Sequence, residues 1–147
     1  MKMMINDSLS LKLFVILSKA YKVIMEQAVK DMKRHGLSET EFAMLELLYH
    51  KGKIPMQQMG EKLLITSGGI TYTADKLENK GFLRRVACPT DRRVTYAEIT
   101  EQGDGMIKEI FPEHQKVIES MMIGLTDEEK LEVIDLLKKL GLSAQNA

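Results

Sequence analysis

The apolar residues of this chain recur at helical spacing over most of its length, and strand-like alternation enters only after residue 80. Residues 8–35 contain no proline or glycine and are apolar on nearly all faces around Leu13 to Leu17. We therefore predict one long helix that needs cover on most of its faces. Gly36 follows three basic residues and predicts the end of this helix. A partner subunit is a natural source of the missing cover.

A capping box marks the start of a second helix, since Ser38 and Glu41 are spaced to bond each other's backbone amides. Gly52 predicts the end of this helix. The next two residues form a short extended link. Pro55 is predicted at the first position of a third helix, over about residues 56–63.

Thr66 is predicted to cap a fourth helix that runs to Lys80. Gly81 and Phe82 suit a Schellman-type ending for it. Two short helices joined by a tight turn are typical of a helix-turn-helix, although a generic helical hairpin fits the same spacing equally well.

The segments that follow decide between these two alternatives. Residues 82–87 and 94–99 are rich in β-branched and aromatic residues, and Cys88-Pro89-Thr90-Asp91 between them is typical of a turn. A helix-turn-helix followed at once by a hairpin is a winged helix, whose second helix enters the major groove while the hairpin lies over the phosphates and minor groove. The predicted fold class is mainly α (α+β), a winged helix-turn-helix core flanked by N- and C-terminal dimerisation helices.

Two further helices are predicted at 104–123 and 127–140, the second opened by a capping box at Thr126. Their apolar stripes match those of the first helix, and a monomer would expose large apolar patches. An ordinary intramolecular bundle is the alternative, but we predict a two-fold homodimer. The predicted organisation is a single domain over 1–147, with a DNA-binding core at 37–103 and dimerisation regions at 1–35 and 104–147.

Charge is balanced overall but unevenly distributed. The formal net charge is zero, yet residues 62–93 hold seven basic and three acidic side chains, and residues 94–147 hold five basic and eleven acidic ones. A chain polarised in this way can present one basic face to a polyanion.

The composition excludes several classes of protein. Its 44% apolar and 29% charged content is ordinary for a globular protein. Its longest apolar run is far shorter than the ~20 residues of a membrane-spanning helix, and the N-terminus lacks a signal-peptide pattern. Cys88 is the single cysteine and cannot form an intramolecular disulfide. We expect a cytoplasmic protein.

Residues 37–103 resemble the winged-helix core of the multiple antibiotic resistance regulator (MarR) family. The most specific part is the wing, in which Asp91-Arg92-Arg93 matches Asp-x-Arg and is followed by a strand and by Ile99-Thr100-x-x-Gly103. The fourth helix ends on the related pattern Asp75-x-Leu77-Glu78-x-x-Gly81. The resemblance implies a homodimeric regulator, with a repressor as the expected form, on a palindromic double-stranded DNA operator. It also implies that a small-molecule effector or an oxidant acts near the junction of the two regions.

The resemblance also implies residue roles. It places Arg93 in the minor groove with Asp91 orienting its guanidinium, and Arg92 on phosphate. Consecutive strand residues point to opposite faces, so at most one of Arg84 and Arg85 is expected to face DNA directly. The predicted DNA-binding residues are Ser67, Gly68, Gly69, Thr71, Tyr72, Lys76, Arg84, Asp91, Arg92 and Arg93.

Some positions depart from the family pattern. Gly68 and Gly69 stand where a polar side chain is usual, and they allow either a close approach to the groove or a pliable first turn. The fourth helix has no Asn, Gln or Arg to read a base through two hydrogen bonds before its last turn, so we expect discrimination to depend on DNA shape and the wing. Pro55 and Gly60 indicate a softer third helix.

No enzyme, cofactor or metal site is predicted, because nucleophile–base constellations, phosphate loops and metal-ligand spacings are absent from the sequence. His35, His50 and His114 are predicted at helix ends or on the surface. Cys88 is not expected to sense oxidants, since family members of that type carry the reactive cysteine in the first helix. The remaining alternative function is a winged-helix protein-interaction module without specific DNA binding.

Overall fold

The computed structural model describes residues 8–147, which form six helices and a small three-stranded sheet. The helices are α1 (Leu9–Arg34), α2 (Glu39–Lys51), α3 (Met56–Leu63), α4 (Ser67–Asn79), α5 (Glu101–Met121) and α6 (Asp127–Gln145). The strands β1 (Lys53–Pro55), β2 (Leu83–Ala87) and β3 (Thr95–Ile99) pair antiparallel in the order β1-β3-β2. This architecture confirms the predicted winged helix-turn-helix with long flanking helices.

The predicted caps set the ends of the helices. At α2, the amide of Glu41 donates to Ser38 Oγ over 3.1 Å, and the amide of Ser38 donates back to Glu41 Oε1 over 3.0 Å. Thr66 accepts from the amide of Gly69 at the start of α4. A capping box at Thr126 likewise starts α6. These interactions are local in sequence, which is why the sequence predicts them.

The end of α4 is the predicted Schellman motif. Gly81 has a φ of 82°, which a residue with a Cβ rarely adopts. The amide of Phe82 donates to Leu77 O over 2.9 Å, and the amide of Gly81 donates to Glu78 O over 3.0 Å. This ending turns the chain directly from the fourth helix into the wing.

The prediction for residues 53–55 was wrong in two details. The expected extended link is a true strand, because Ile54 is buried and pairs with Ala97 of β3. Pro55 pairs with Tyr96 and serves as the N-cap of α3, with φ −60° and ψ 139°, instead of its first helical residue. An edge position tolerates proline because no further strand needs its missing amide hydrogen.

The Thr-x-x-Gly motif ties α5 to the end of α4, and it starts α5 three residues earlier than predicted. Thr100 Oγ1 accepts from the amide of Gly103 over 3.0 Å and donates to Gly81 O over 2.6 Å. A Cβ on Gly103 would stand 2.2 Å from Phe82 O, so this approach requires glycine. At the other end of the molecule, α6 continues to Gln145, beyond the predicted residue 140.

The core lies under α2 and is shared by both helices of the helix-turn-helix, the sheet and α5. Its most buried members are Leu37, Met44, Leu45, Leu48, Met59, Ala74, Leu77, Ala97 and Ile107. Ala28 and Met32 near the end of α1 are buried in this core, whereas the large apolar side chains of α1 from Leu9 to Val23 and those of α6 are mostly exposed in the protomer. None of the α6 residues is buried within the described chain.

A charged pair joins the end of α4 to the region where α1 ends. Lys80 Nζ donates to Gly36 O over 3.0 Å and to Glu41 Oε2 over 2.6 Å. Burial raises the pKa of Glu41, but the hydrogen bonds from Lys80 and from the Ser38 amide outweigh that effect and hold the pKa below its usual range. One buried carboxylate thus fixes α2 and the C-terminal end of α4 together.

His114 corrects another prediction, because it is buried instead of lying at a helix end or on the surface. Its Nδ1 lies 2.9 Å from Asp31 Oδ2, and its ring packs on Phe42 with centroids 4.3 Å apart. Burial raises the pKa of Asp31, while hydrogen bonds with Arg34 and His114 outweigh that effect and lower it. The pair couples α1 to α5 and α2.

Candidate nucleic-acid interface

An open cleft of about 1350 Å³ separates the wing from the N-terminal ends of α3 and α4. Both helices begin at its wall, where the first backbone amides of a helix have no intrahelical partner. The polar side chains that line it are Gln57, Gln58, Glu61, Thr66, Ser67, Thr71, Arg85, Arg93, Thr95 and Tyr96.

The helix α4 has one buried and one exposed face. Ile70, Thr73, Ala74 and Leu77 fix the helix against the core. The outward face carries Ser67, Thr71, Tyr72 and Lys76. The ring of Tyr72 lies under Lys76 Nζ at 4.6 Å from its centroid, and the neighbouring Tyr72 side chain raises the pKa of Lys76. Thr71 Oγ1 donates to Ser67 O over 3.0 Å, which leaves its lone pairs for an external donor.

The two glycines of α4 differ in their surroundings. A Cβ on Gly68 would meet nothing within 4 Å, so this position leaves the backbone open to an approaching ligand. A Cβ on Gly69 would stand 2.8 Å from Ile65 Cγ2 and 3.2 Å from Thr66 Oγ1, in the cap itself. Gly69 therefore has a packing role, a possibility that the sequence alone did not suggest.

The tip of the wing holds a guanidinium–carboxylate pair. Arg93 Nε lies 3.1 Å from Asp91 Oδ1, and a second guanidinium nitrogen lies 3.2 Å from Oδ2. The amide of Arg93 also donates to Asp91 Oδ1, and these bonds lower the pKa of Asp91. The Arg93 side chain is 90% exposed, so the fork is held on one side and open on the other. Arg92 is exposed beside it.

Arg84 and Arg85 lie on opposite faces of β2, as the alternation predicts. Arg85 faces α4 and bonds Asp75 over 2.6 Å and Glu78 over 2.9 Å. The hydrogen bonds that Arg85 donates to Glu78 and, to a smaller extent, to Asp75 raise its pKa. Arg84 Nε lies 3.3 Å from Glu98 Oε2 on the other face. Arg84 stays a predicted contact, whereas Arg85 fastens the wing to α4.

The described fold brings Ser67, Thr71 and Arg93 to one cleft. Gly68, Tyr72 and Lys76 follow at four-residue spacing on the neighbouring strip of α4. Sequence reasoning missed Gln57, Arg85 and Thr95 as lining residues. A signal existed for Arg85, since it stands two positions after the buried Leu83 and so on the same face of β2. The described residues hold no cluster of histidine, cysteine and carboxylate side chains that fits a metal ion.

Among residues 8–147, none of the helices combines the length and the apolar character that crossing a membrane requires.

Comparisons with known proteins agree with this geometry. The family model described as "MarR family" matches residues 37–95. The chain is 53% identical over 136 residues to the HTH-type transcriptional regulator MhqR of Bacillus subtilis (strain 168), with 92% of this chain and 94% of that protein covered.

Two solved structures share the fold. The MarR family transcriptional regulator Sco3205 from Streptomyces coelicolor, in complex with DNA, matches with a TM-score of 0.82 at 18% identity, over 88% of this chain and 83% of that one. NadR in complex with 4-hydroxyphenylacetate matches with a TM-score of 0.74 at 22% identity, over 86% and 89% of the two chains.

The curated relative is named as a transcriptional regulator, in agreement with the prediction that the chain is not an enzyme. The extent of its similarity, together with the family match over the winged-helix core, identifies the family. The chain belongs to the MarR family of helix-turn-helix transcriptional regulators.

Proposed function

We propose that this regulator binds DNA sequence-specifically as a homodimer on a palindromic operator and acts as a repressor. The observation that carries the proposal is the Asp91–Arg93 fork, which stands across one cleft from the exposed face of α4. A helix fits the major groove, and an oriented guanidinium fits the narrow minor groove beside it.

In the proposed complex, DNA phosphates occupy the cleft between the Asp91–Arg93 fork and α4. The N-terminal ends of α3 and α4 offer backbone amides and the positive end of each helix dipole to an anion. Within the described chain no side chain caps α3, so its first amides remain free to bind phosphate. Two side chains add to this phosphate site: Ser67 supplies a hydroxyl from α4, and Arg92 supplies a positive charge from the wing.

The exposed face of α4 reads the major groove. Ser67 and Thr71 bond base edges or phosphate, Tyr72 places its ring on a thymine methyl, and Lys76 holds the backbone. Gly68 lets the first turn of α4 approach the DNA groove closely, and Gly69 lets that turn pack against Ile65. Arg84, on the outer face of the sheet, contacts a phosphate that flanks the wing, and its pairing with Glu98 limits this contribution.

Dimerisation is supported by the uncovered faces of α1 and α6. Seven large apolar residues of α6 are exposed in the protomer, and eight of α1. The helix α1 carries six basic and two acidic side chains, and α6 carries three basic and five acidic ones, so the two helices attract each other across a two-fold axis. Two-fold symmetry would set the recognition helices about 34 Å apart, one turn of B-DNA.

An effector that releases DNA belongs to the same proposal, at the junction of α1 and the winged helix. Its support is the resemblance of fold to NadR, which was solved with 4-hydroxyphenylacetate. The proposed location of the regulator is the cytoplasm, with its DNA.

Selection from a pool of random duplexes tests the proposed function. The recovered duplex and a scrambled duplex of the same composition are then titrated by fluorescence anisotropy at 50 and 200 mM salt. We expect a palindromic consensus, an affinity for it at least about 1000-fold above that for the scrambled duplex, and a steep loss between the two salt concentrations. Equal, weak binding to both duplexes would favour the protein-interaction module instead.

A further inference from the structure

Leu64, in the turn between α3 and α4, combines two features that oppose each other. Its backbone is left-handed, with φ 55° and ψ 43°. Among the described residues, Leu64 is the only one other than glycine that has a positive φ. Its side chain is 77% exposed. A leucine pays a steric cost in this conformation that glycine, and to a lesser degree asparagine, avoids.

Packing does not account for a leucine here. Most of the side chain is outside the core, so its removal would take little apolar area from the protomer. The amide of the next residue, Ile65, donates to Gly60 O over 3.0 Å, a backbone bond that any residue at position 64 permits. The fold therefore requires the left-handed backbone but not the leucine side chain.

The position of Leu64 supplies a reason. It lines the same cleft as Ser67 and Arg93, and it lies in the turn two residues before Thr66, the N-cap of α4. Strained backbone conformations that persist at a ligand-facing surface are commonly kept for function.

We propose that Leu64 makes an apolar contact with the bound DNA, either with a thymine methyl group or with the face of a deoxyribose. This inference rests on the proposed function, since it requires that the cleft holds DNA. The leucine would exclude water at the edge of the cleft, where the phosphate contacts of α3 and α4 converge. It adds an apolar contact, besides that proposed for Tyr72, to a surface that binds mainly through hydrogen bonds and charge.

Three variants separate the side chain from the backbone. Leu64→Ala keeps the strain and removes the reach of the side chain, whereas Leu64→Gly and Leu64→Asn relieve the strain as well. Each is titrated with the duplex that the wild-type protein selects from a random pool, and with the same duplex carrying deoxyuridine in place of thymine. Thermal unfolding is followed in parallel.

We expect all three variants to lose about three- to tenfold in affinity for the selected duplex. This is the loss expected when a few methyl groups are no longer buried on binding. Leu64→Gly should raise Tm by about 1–4 °C, and Leu64→Ala should leave it nearly unchanged. A loss that disappears on the deoxyuridine duplex assigns the contact to a thymine methyl, and a loss that persists assigns it to a deoxyribose.

Unchanged affinity of Leu64→Ala on the selected duplex would overturn the proposal, whatever happens to Tm. If the wild-type protein selects no duplex at all, the proposed function itself fails, and the two failures are thus distinguishable.

Discussion

At the scale of single residues, the wing depends on orientation as much as on positive charge. Asp91 cancels one of the charges that Arg92 and Arg93 bring, which a purely electrostatic contact would not favour. Under the proposed function, the gain is a guanidinium that two parallel hydrogen bonds already hold in place when DNA binds. The resemblance of Asp91-Arg92-Arg93 to the Asp-x-Arg wing of the family implies this pair, and the hydrogen bonds between Asp91 and Arg93 agree with it.

The contacts of Arg85 and His114 escaped prediction for a physical reason. Arg85 meets Asp75 and Glu78 only because the Schellman ending folds β2 back along α4. His114 is buried by Asp31, which lies 83 residues away in the chain. The alternation of β2 indicates the face on which Arg85 lies, but no local pattern in the sequence reveals its partners or the burial of His114.

Replacement of Asp91 by Asn tests orientation against charge. The change removes a negative charge, which alone would strengthen DNA binding, but it loosens the Arg93 fork. We expect about tenfold weaker binding to the selected duplex, measured by anisotropy. Asp104→Asn is the matched control, since it breaks the 2.9 Å pair with Lys108 on α5, remote from the cleft. Tighter binding by the Asp91 variant would contradict the role of the carboxylate.

At the scale of secondary-structure elements, the caps and glycine endings were predictable and the short strand was not. Capping boxes and the Schellman motif join residues three to five positions apart. The strand β1 has three residues and is defined by its pairing with β3, more than 40 residues later. Its pairing residue Ile54 gives no local signal that distinguishes a strand from an extended link.

Two glycines of α5 form a matched pair for a stability test. Gly103→Ala would place a Cβ 2.2 Å from Phe82 O and should lower the free energy of unfolding by about 2 kcal/mol or more. Gly105→Ala, with nothing within 4 Å, should raise it by about 0.5–1 kcal/mol because alanine favours helix. Urea denaturation measures both. Equal effects of the two substitutions would mean that the approach of α5 to Phe82 O is not close.

At the scale of the whole molecule, the protomer leaves its long flanking helices uncovered. The sequence predicts that α1 needs cover on most faces, and the exposed leucines of α1 and α6 agree with that expectation. Apolar periodicity cannot distinguish cover by the same chain from cover by a second copy. The arrangement of the protomer favours a second copy, because α6 buries none of its residues within the described chain.

Leu137→Glu on α6 tests the proposed dimer. A carboxylate buried against apolar side chains at the interface should dissociate the dimer at micromolar concentration, as measured by light scattering after gel filtration. Operator affinity should fall by about 100-fold or more, since each half-site is then bound singly. Ser143→Glu adds the same charge to an exposed polar position and should leave the dimer intact. A Leu137 variant that remains dimeric would remove α6 from the interface.

Among the residues of the cleft, Arg93 matters most to the proposed function. Replacement by Ala removes the exposed fork and leaves the core and the flanking helices unchanged, so the variant should keep the oligomeric state and Tm of the wild-type protein. Anisotropy titration with the selected duplex should show about 10- to 100-fold weaker binding, while binding to a scrambled duplex falls much less. Unchanged affinity of Arg93→Ala for the selected duplex would contradict the minor-groove contact on which the proposed function rests.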